Sequence, residues 1–192
     1  MSYLPNHFTE GNWDTIKEFI KQFPLATLIT CSEGTIFTSH IPFILEGNKL
    51  LGHINKDNPQ YKHLDESSLE LVFHGGDSYI SPSAFPTDEL PTFNYCKVHI
   101  KGKASYVDNT QLVKSLVDMT SQLDDQFELS YDHSKIDKLK HFIQGLEVHI
   151  ENVNGRFKMS QDKTSSHFKK AKQLFSDTQK ARLDWLLHHL KH

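Results

Sequence analysis

The sequence predicts a mainly β protein with flanking helices, its strands closed into a small barrel. Short apolar and β-branched runs are joined by tight turns such as Ser32-Glu33-Gly34 and Gly47-Asn48-Lys49, which suits antiparallel pairing and not a βαβ unit. One longer run alternates strictly, with Val98, Ile100, Gly102, Ala104 and Tyr106 on one face and His99, Lys101, Lys103 and Ser105 on the other. Helical spacing is confined to the two ends and one insertion. Closure into a barrel would remove exposed sheet edges.

The elements follow in order. Trp13, Ile16, Phe19, Ile20 and Phe23 recur at helical spacing behind Asn12, a good N-cap, and Pro24 stops that helix. Leu25 to Cys31 and Thr35 to Ile41 read as paired strands, followed by Phe43–Glu46 and Leu50–Ile54. Asn58-Pro59 opens a short helix or turn through Leu64, and Leu69 to His74 is a strand ended by Gly75-Gly76. Asn109 can cap a helix carrying Leu112, Val113, Leu116, Val117 and Met119; Ile136, Leu139, Phe142 and Ile143 mark another that ends at Gly145. Leu146, Val148 and Ile150 form a strand, Asn154-Gly155 reads as a turn into Arg156–Met159, and the rest is helical. The total is about seven or eight short strands. The expected organisation is a barrel domain over 1–168, with a helical insertion at about 109–144, and a C-terminal helical extension over 169–192.

Composition narrows function. A chain of 192 residues can bury a real core, and a net charge of −3 gives no global electrostatic footprint for nucleic acid. Cys31 and Cys96 both fall in strand-like segments, which suits buried reduced thiols. The first residues lack a basic segment followed by an apolar run, and no apolar run approaches the roughly 18 residues of a membrane span, so a cytoplasmic location is expected. Walker A, Rossmann, Gly-x-Ser-x-Gly and His-Glu-x-x-His signatures are absent. No resident metal is expected; His188, His189 and His192 would bind one only adventitiously.

Four segments carry candidate chemistry. Gly52 to Pro59 leaves a strand and enters a helix, so backbone amides, Lys56 and Asn58 can converge on an anion; the same residues also suit a helix cap beside a solvated lysine. Ser78 to Phe85 with Thr92 to Tyr95 concentrates hydroxyls, the Asn94 amide and aromatic rings, which suits a flat polar ligand or a proline-braced loop over the barrel end. In Thr35 to Pro42, an inward Ile36 would carry Thr38 and His40 on its own face. Arg156, Lys158 and Ser160 share a face that suits phosphate or an exposed strand edge.

With these segments in view, the chain resembles the PaiB family, described as transcriptional regulators and FMN-binding split-barrel proteins. The landmarks are Pro24-Leu25-Ala26-Thr27, Ser39-His40-Ile41-Pro42, Gly52-His53, Asn58-Pro59, Tyr79 to Ser83, Pro91 to Tyr95, Val98-His99 and Lys158 to Gln161. The resemblance runs from Tyr3 to Gln161. It implies an FMN-binding split β-barrel of the pyridoxamine-phosphate-oxidase-like kind, paired as a homodimer with flavin mononucleotide at the interface. Ser39, His40, Lys56 and Asn58 would then meet the phosphate and ribityl side, and Ser81, Thr92, Asn94, Lys158 and Ser160 would complete the pocket.

Three departures stand out: a shortened segment between Phe85 and Pro91, Phe93 in place of the usual tryptophan, and Gln161-Asp162 in place of Gln-Asn. The last puts a negative charge near the expected phosphate. Three functions follow from the resemblance. They are a regulatory flavin-binding protein, a flavin-dependent oxidoreductase, and a haem-binding or haem-degrading split barrel using His99, His149 or His167. DNA is a possible partner that the charge does not favour, and no residue stands out as a catalytic acid or base beyond His40 and His99.

Overall fold

The computed structural model describes residues 5–190. A two-residue strand β1 (Thr9–Glu10) precedes helix α1 (Trp13–Gln22). Four strands follow: β2 (Leu25–Ser32), β3 (Thr35–Pro42), β4 (Ile44–Glu46) and β5 (Lys49–Asn55). A 3-10 turn, Pro59–His63, leads to β6 (Ser68–Ile80), and a second, Pro82–Ala84, precedes β7 (Thr92–Val107). Helices α2 (Asn109–Leu123) and α3 (Ser134–Leu139) come before β8 (Ile143–Lys158), and α4 (Ser165–His189) closes the described chain. The strand order is β3-β2-β6-β7-β8-β5-β4, with β1 paired to β8.

The residues group into two units. The larger holds Trp13–Phe73 and Val98–Val153; the smaller holds His74–Lys97 with described residues 5–12 and 154–190. In the larger unit, alternation along the strands turns Ala26, Leu28, Leu50, Leu71, Phe73, Ile100, Leu146 and Val148 inward, each fully buried. α1 adds Ile16 and Ile20. α2 packs Leu112 and Leu116 against Ile143, and Met119 against Ile44 and Leu51. Its N-cap is Asp108, whose carboxylate accepts from the Gln111 amide at 2.8 Å; Asn109, the expected cap, is the first helical residue.

In the smaller unit, α4 lies on the C-terminal part of β6. Ser78 Oγ donates to Thr178 Oγ1 at 2.9 Å, and Arg182 donates to both the carbonyl and the carboxylate of Asp77 at 2.7 Å. Ala171 is fully buried, whereas Leu183, Trp185, Leu186, Leu187 and Leu190 stand exposed past that contact.

Several expected boundaries move. The strand begun at Leu69 does not end at Gly75-Gly76; β6 runs through it to Ile80. Asn154-Gly155 is not a turn either, because β8 passes through it. A Cβ on Gly155 would lie 2.6 Å from the Glu10 carbonyl oxygen, so glycine is needed there for the close approach of β1. Gly145, taken as a helix end, lies inside β8. Ile36 points outward and is 71% exposed, carrying Thr38 and His40 to the exposed face with it. Cys31 is exposed and not buried; Cys96 is partly buried, and burial pushes its thiol up to about 11. His192 lies outside the described residues, as do the first residues of the resemblance, Tyr3 and Leu4.

Candidate functional site

β3 and β5 lie toward opposite ends of the strand order, yet their residues face one cavity of about 670 Å³. The sheet has therefore curled back on itself, as a barrel requires. The cavity is lined by Thr38 to Pro42 from β3, by His53, Ile54 and Asn55 from β5, and by Asn58 and Ile143. Hydroxyls, amides and imidazoles sit among aliphatic side chains, and no carboxylate is in the lining.

The sequence-predicted residues Ser39, His40 and Asn58 meet here. Asn58 does two jobs: its Oδ1 accepts from the Gln60 amide at 2.9 Å, capping the short helix, and its Nδ2 donates to Ser39 Oγ at 2.9 Å. The cap is observed at this residue, which also lines the cavity. His40 Nδ1 lies 3.3 Å from Thr27 Oγ1, its cross-strand partner.

Lys56 is not in the lining but lies between Asn55 and Asn58. Its backbone N–H donates to the Phe142 carbonyl at 2.8 Å, and its ammonium reaches the Lys140 carbonyl at 3.4 Å. Among the described residues it makes no ion pair. The neighbouring Asp57 is exposed and outside the lining.

His53 entered the sequence reading as a landmark of the resemblance and not as an expected ligand contact. Its Nδ1 is buried without a hydrogen-bond partner, and desolvation holds the ring's pKa below its ordinary 6.5. The available signal was its place in β5, one alternation before the exposed Asn55. A stability signature follows. Above pH 6.5 both folded and unfolded imidazoles are neutral; as pH falls below 6.5 the unfolded chain takes up a proton that the folded one resists, so stability is lost. Urea unfolding at pH 7 and pH 5.5 is expected to show a larger drop for the wild type than for His53→Gln, and parallel drops would rule this out.

The smaller unit holds the other predicted residues. Lys158 Nζ donates to Thr92 Oγ1 at 2.5 Å, and Ser160 Oγ donates to Asn94 Oδ1 at 3.0 Å. Asn94 is fully buried and its Nδ2 has no partner; Ser160 is buried with φ of 63°, the left-handed region that a serine adopts only under constraint. Ser81 does not join them: it caps the 3-10 turn at Pro82 and bonds Ser83 Oγ at 2.7 Å. A cavity of about 450 Å³ beside Thr92, Lys158 and Ser160 also carries Asp88, Glu89, Asp162 and Lys163. Lys163 pairs with Glu89 at 2.6 Å and holds that carboxyl below its ordinary range. Three carboxylates against two lysines make this lining a poor host for a phosphate dianion.

The histidines considered as acids, bases or haem ligands are placed differently. His99, which had no evident orienting partner in the sequence, faces Glu70 at 2.7 Å; His167 lies 3.3 Å from Glu89; His149 is exposed.

Known proteins share this architecture. The FAD and heme binding protein from Mycobacterium smegmatis aligns with a TM-score of 0.63 at 14% identity, covering 85% of this chain and 80% of that one. The flavocytochrome Anf3 from Azotobacter vinelandii aligns at 0.61 and 16% identity, covering 81% and 72%. At such identities the likeness establishes the fold, a mainly β split barrel with flanking helices. In sequence, the protease synthase and sporulation protein PAI 2 of Bacillus subtilis is 28% identical over 182 residues, 86% of this chain and 85% of the relative. A family model described as "Putative FMN-binding domain" matches residues 2–152. A match over that much of the sequence identifies the chain as a member of this FMN-binding domain family.

Proposed function

We propose that the protein binds flavin mononucleotide and seats its ribityl phosphate tail in the cavity between β3 and β5. The observation that carries this reading is the lining itself, with its hydroxyl, amide and imidazole groups, no carboxylate, and an unpaired Lys56 at its edge. A phosphate dianion needs such donors and an uncompensated cation, and nearby carboxylates would repel it. Membership of the FMN-binding domain family supports the same ligand. Bound FMN supplies the redox chemistry; Ser39, His40, Lys56 and Asn58 bind and orient its tail. The tail assignment rests on the larger unit alone.

The test is titration of FMN and riboflavin by fluorescence quenching. Lys56→Ala is expected to weaken FMN about tenfold, with a shallower salt dependence, and to leave riboflavin unchanged. A purified wild type that leaves micromolar FMN fully fluorescent would end the flavin reading.

We also infer a homodimer with a regulatory role in the cytoplasm. Exposed Ile36 and Leu25 on β3 and β2 offer apolar surface for pairing, and the Bacillus subtilis relative is named a protease synthase and sporulation protein. No helix among the described residues is long and apolar enough to cross a membrane. Sedimentation velocity tests the assembly: a concentration-independent monomer would remove it.

A further inference from the structure

Depth along β5 sorts the polar groups of the cavity. On one face of the strand Leu51 is 2% exposed, His53 is half-buried and Asn55 is exposed, with Lys56 and Asn58 just beyond. Two residues along a strand span about 6.6 Å, so His53 sits roughly that far inside Asn55, the last strand residue before Lys56. Of the other polar residues of the lining, Thr38 is exposed and Asn55 accepts from the Asp57 amide at 2.8 Å. Ser39 accepts from Asn58, Asn58 caps the Gln60 amide, and His40 faces Thr27. His53 Nδ1 is the buried polar atom of this cavity with no hydrogen-bond partner.

Its chemistry follows from that position. Leaving the interior-facing nitrogen unsatisfied costs least if it carries a lone pair and not a proton, because orphaned N–H groups are the rarer and more costly case. The proton of the neutral ring then resides on Nε2, the nitrogen through which a cavity-lining imidazole can act.

We propose that His53 reads the sugar-alcohol chain of the ligand, donating Nε2–H to a ribityl hydroxyl one strand step inside the edge where Lys56 meets the phosphate. The inference rests on the flavin reading and deepens it. Charge is handled at the rim, where solvent still reaches, and an uncharged polyol is handled where the wall is dry. His53 is a positioning and specificity residue, and it takes no part in electron transfer.

The experiment titrates wild type and the variants His53→Gln, His53→Asn and His53→Leu with FMN and with riboflavin, each variant checked for folding by its melting curve. A glutamine amide can place a donor near the Nε2 position, whereas the shorter asparagine mimics only Nδ1. Leucine and asparagine are expected to weaken FMN and riboflavin alike, about tenfold, and glutamine to recover most of the loss. A loss confined to FMN would mean that His53 meets the phosphate, and equal effects of Gln and Asn would mean that it acts only on packing; either overturns the proposal. If the wild type binds flavin and the leucine variant binds it equally well, this inference fails alone. If the wild type binds neither flavin, the flavin reading fails and takes the inference with it.

Discussion

Gly102→Ala is expected to lower the unfolding free energy by about 3 kcal/mol, which is large for the addition of one methyl group. Gly102 lies inside β7, where a Cβ would come within 2.3 Å of the His149 carbonyl oxygen and 2.9 Å of Val148 Cγ1. The nearer atom is backbone, held in β8, so no side-chain rotation relieves the clash and the two strands must part locally. Separating them strains the ladder and disturbs the buried Ile100 and Val148 beside it. Urea unfolding followed by circular dichroism measures the effect; a change under about 0.5 kcal/mol would show that β7 and β8 can part at no cost.

Phe43→Ala is expected to cost about 4 kcal/mol, and its cost should depend on residue 52. Phe43 is fully buried, and its amide donates to the Pro24 carbonyl at 2.9 Å. A Cβ at Gly52 would sit 2.9 Å from two carbons of that ring and 3.0 Å from the Pro42 carbonyl oxygen. Gly52→Ala alone should therefore cost about 2 kcal/mol by overpacking. In the double variant the new methyl occupies space the ring has vacated, so the combined loss should fall short of the sum by 1 kcal/mol or more. Strict additivity would mean that the two residues do not share the space. Because Pro42 and His53 flank this pair and line the cavity, Gly52→Ala should also weaken FMN, and more than its stability cost alone explains.

The parts legible in the sequence were those written in local chemistry. Leu25 to Cys31 and Thr35 to Ile41 were found because a compact β-branched and apolar run and a Ser-Glu-Gly turn lie within a few residues of one another, and they pair with Ala26 opposite Ile41 and Thr27 opposite His40. Asn58 was found because a cap needs only its own neighbours. The misread strand boundaries came from glycines whose reason is distant in sequence. Gly155 is forced by Glu10, and Gly76, at φ of 96°, has the Gln179 side chain 2.9 Å from where its Cβ would be. In a single sequence, a glycine kept for close approach looks the same as one kept for a turn. Grouping the site met the same limit. Ser39 and Asn58 are 19 residues apart, and only the resemblance grouped them. The unpaired nitrogen of His53 stayed hidden because it is a property of everything around it.

The division of β6, β7 and β8 between the two units has a consequence for how this chain can change. The larger unit needs two separated stretches and the smaller needs three, so no contiguous piece of the gene encodes either. Neither can be fused, deleted or exchanged as a cassette, and a truncation meant to isolate one unit breaks a strand on which the other depends. Substitutions within strands and changes in the connecting segments, such as the short stretch from Phe85 to Pro91, remain the routes by which relatives can diverge in what they bind.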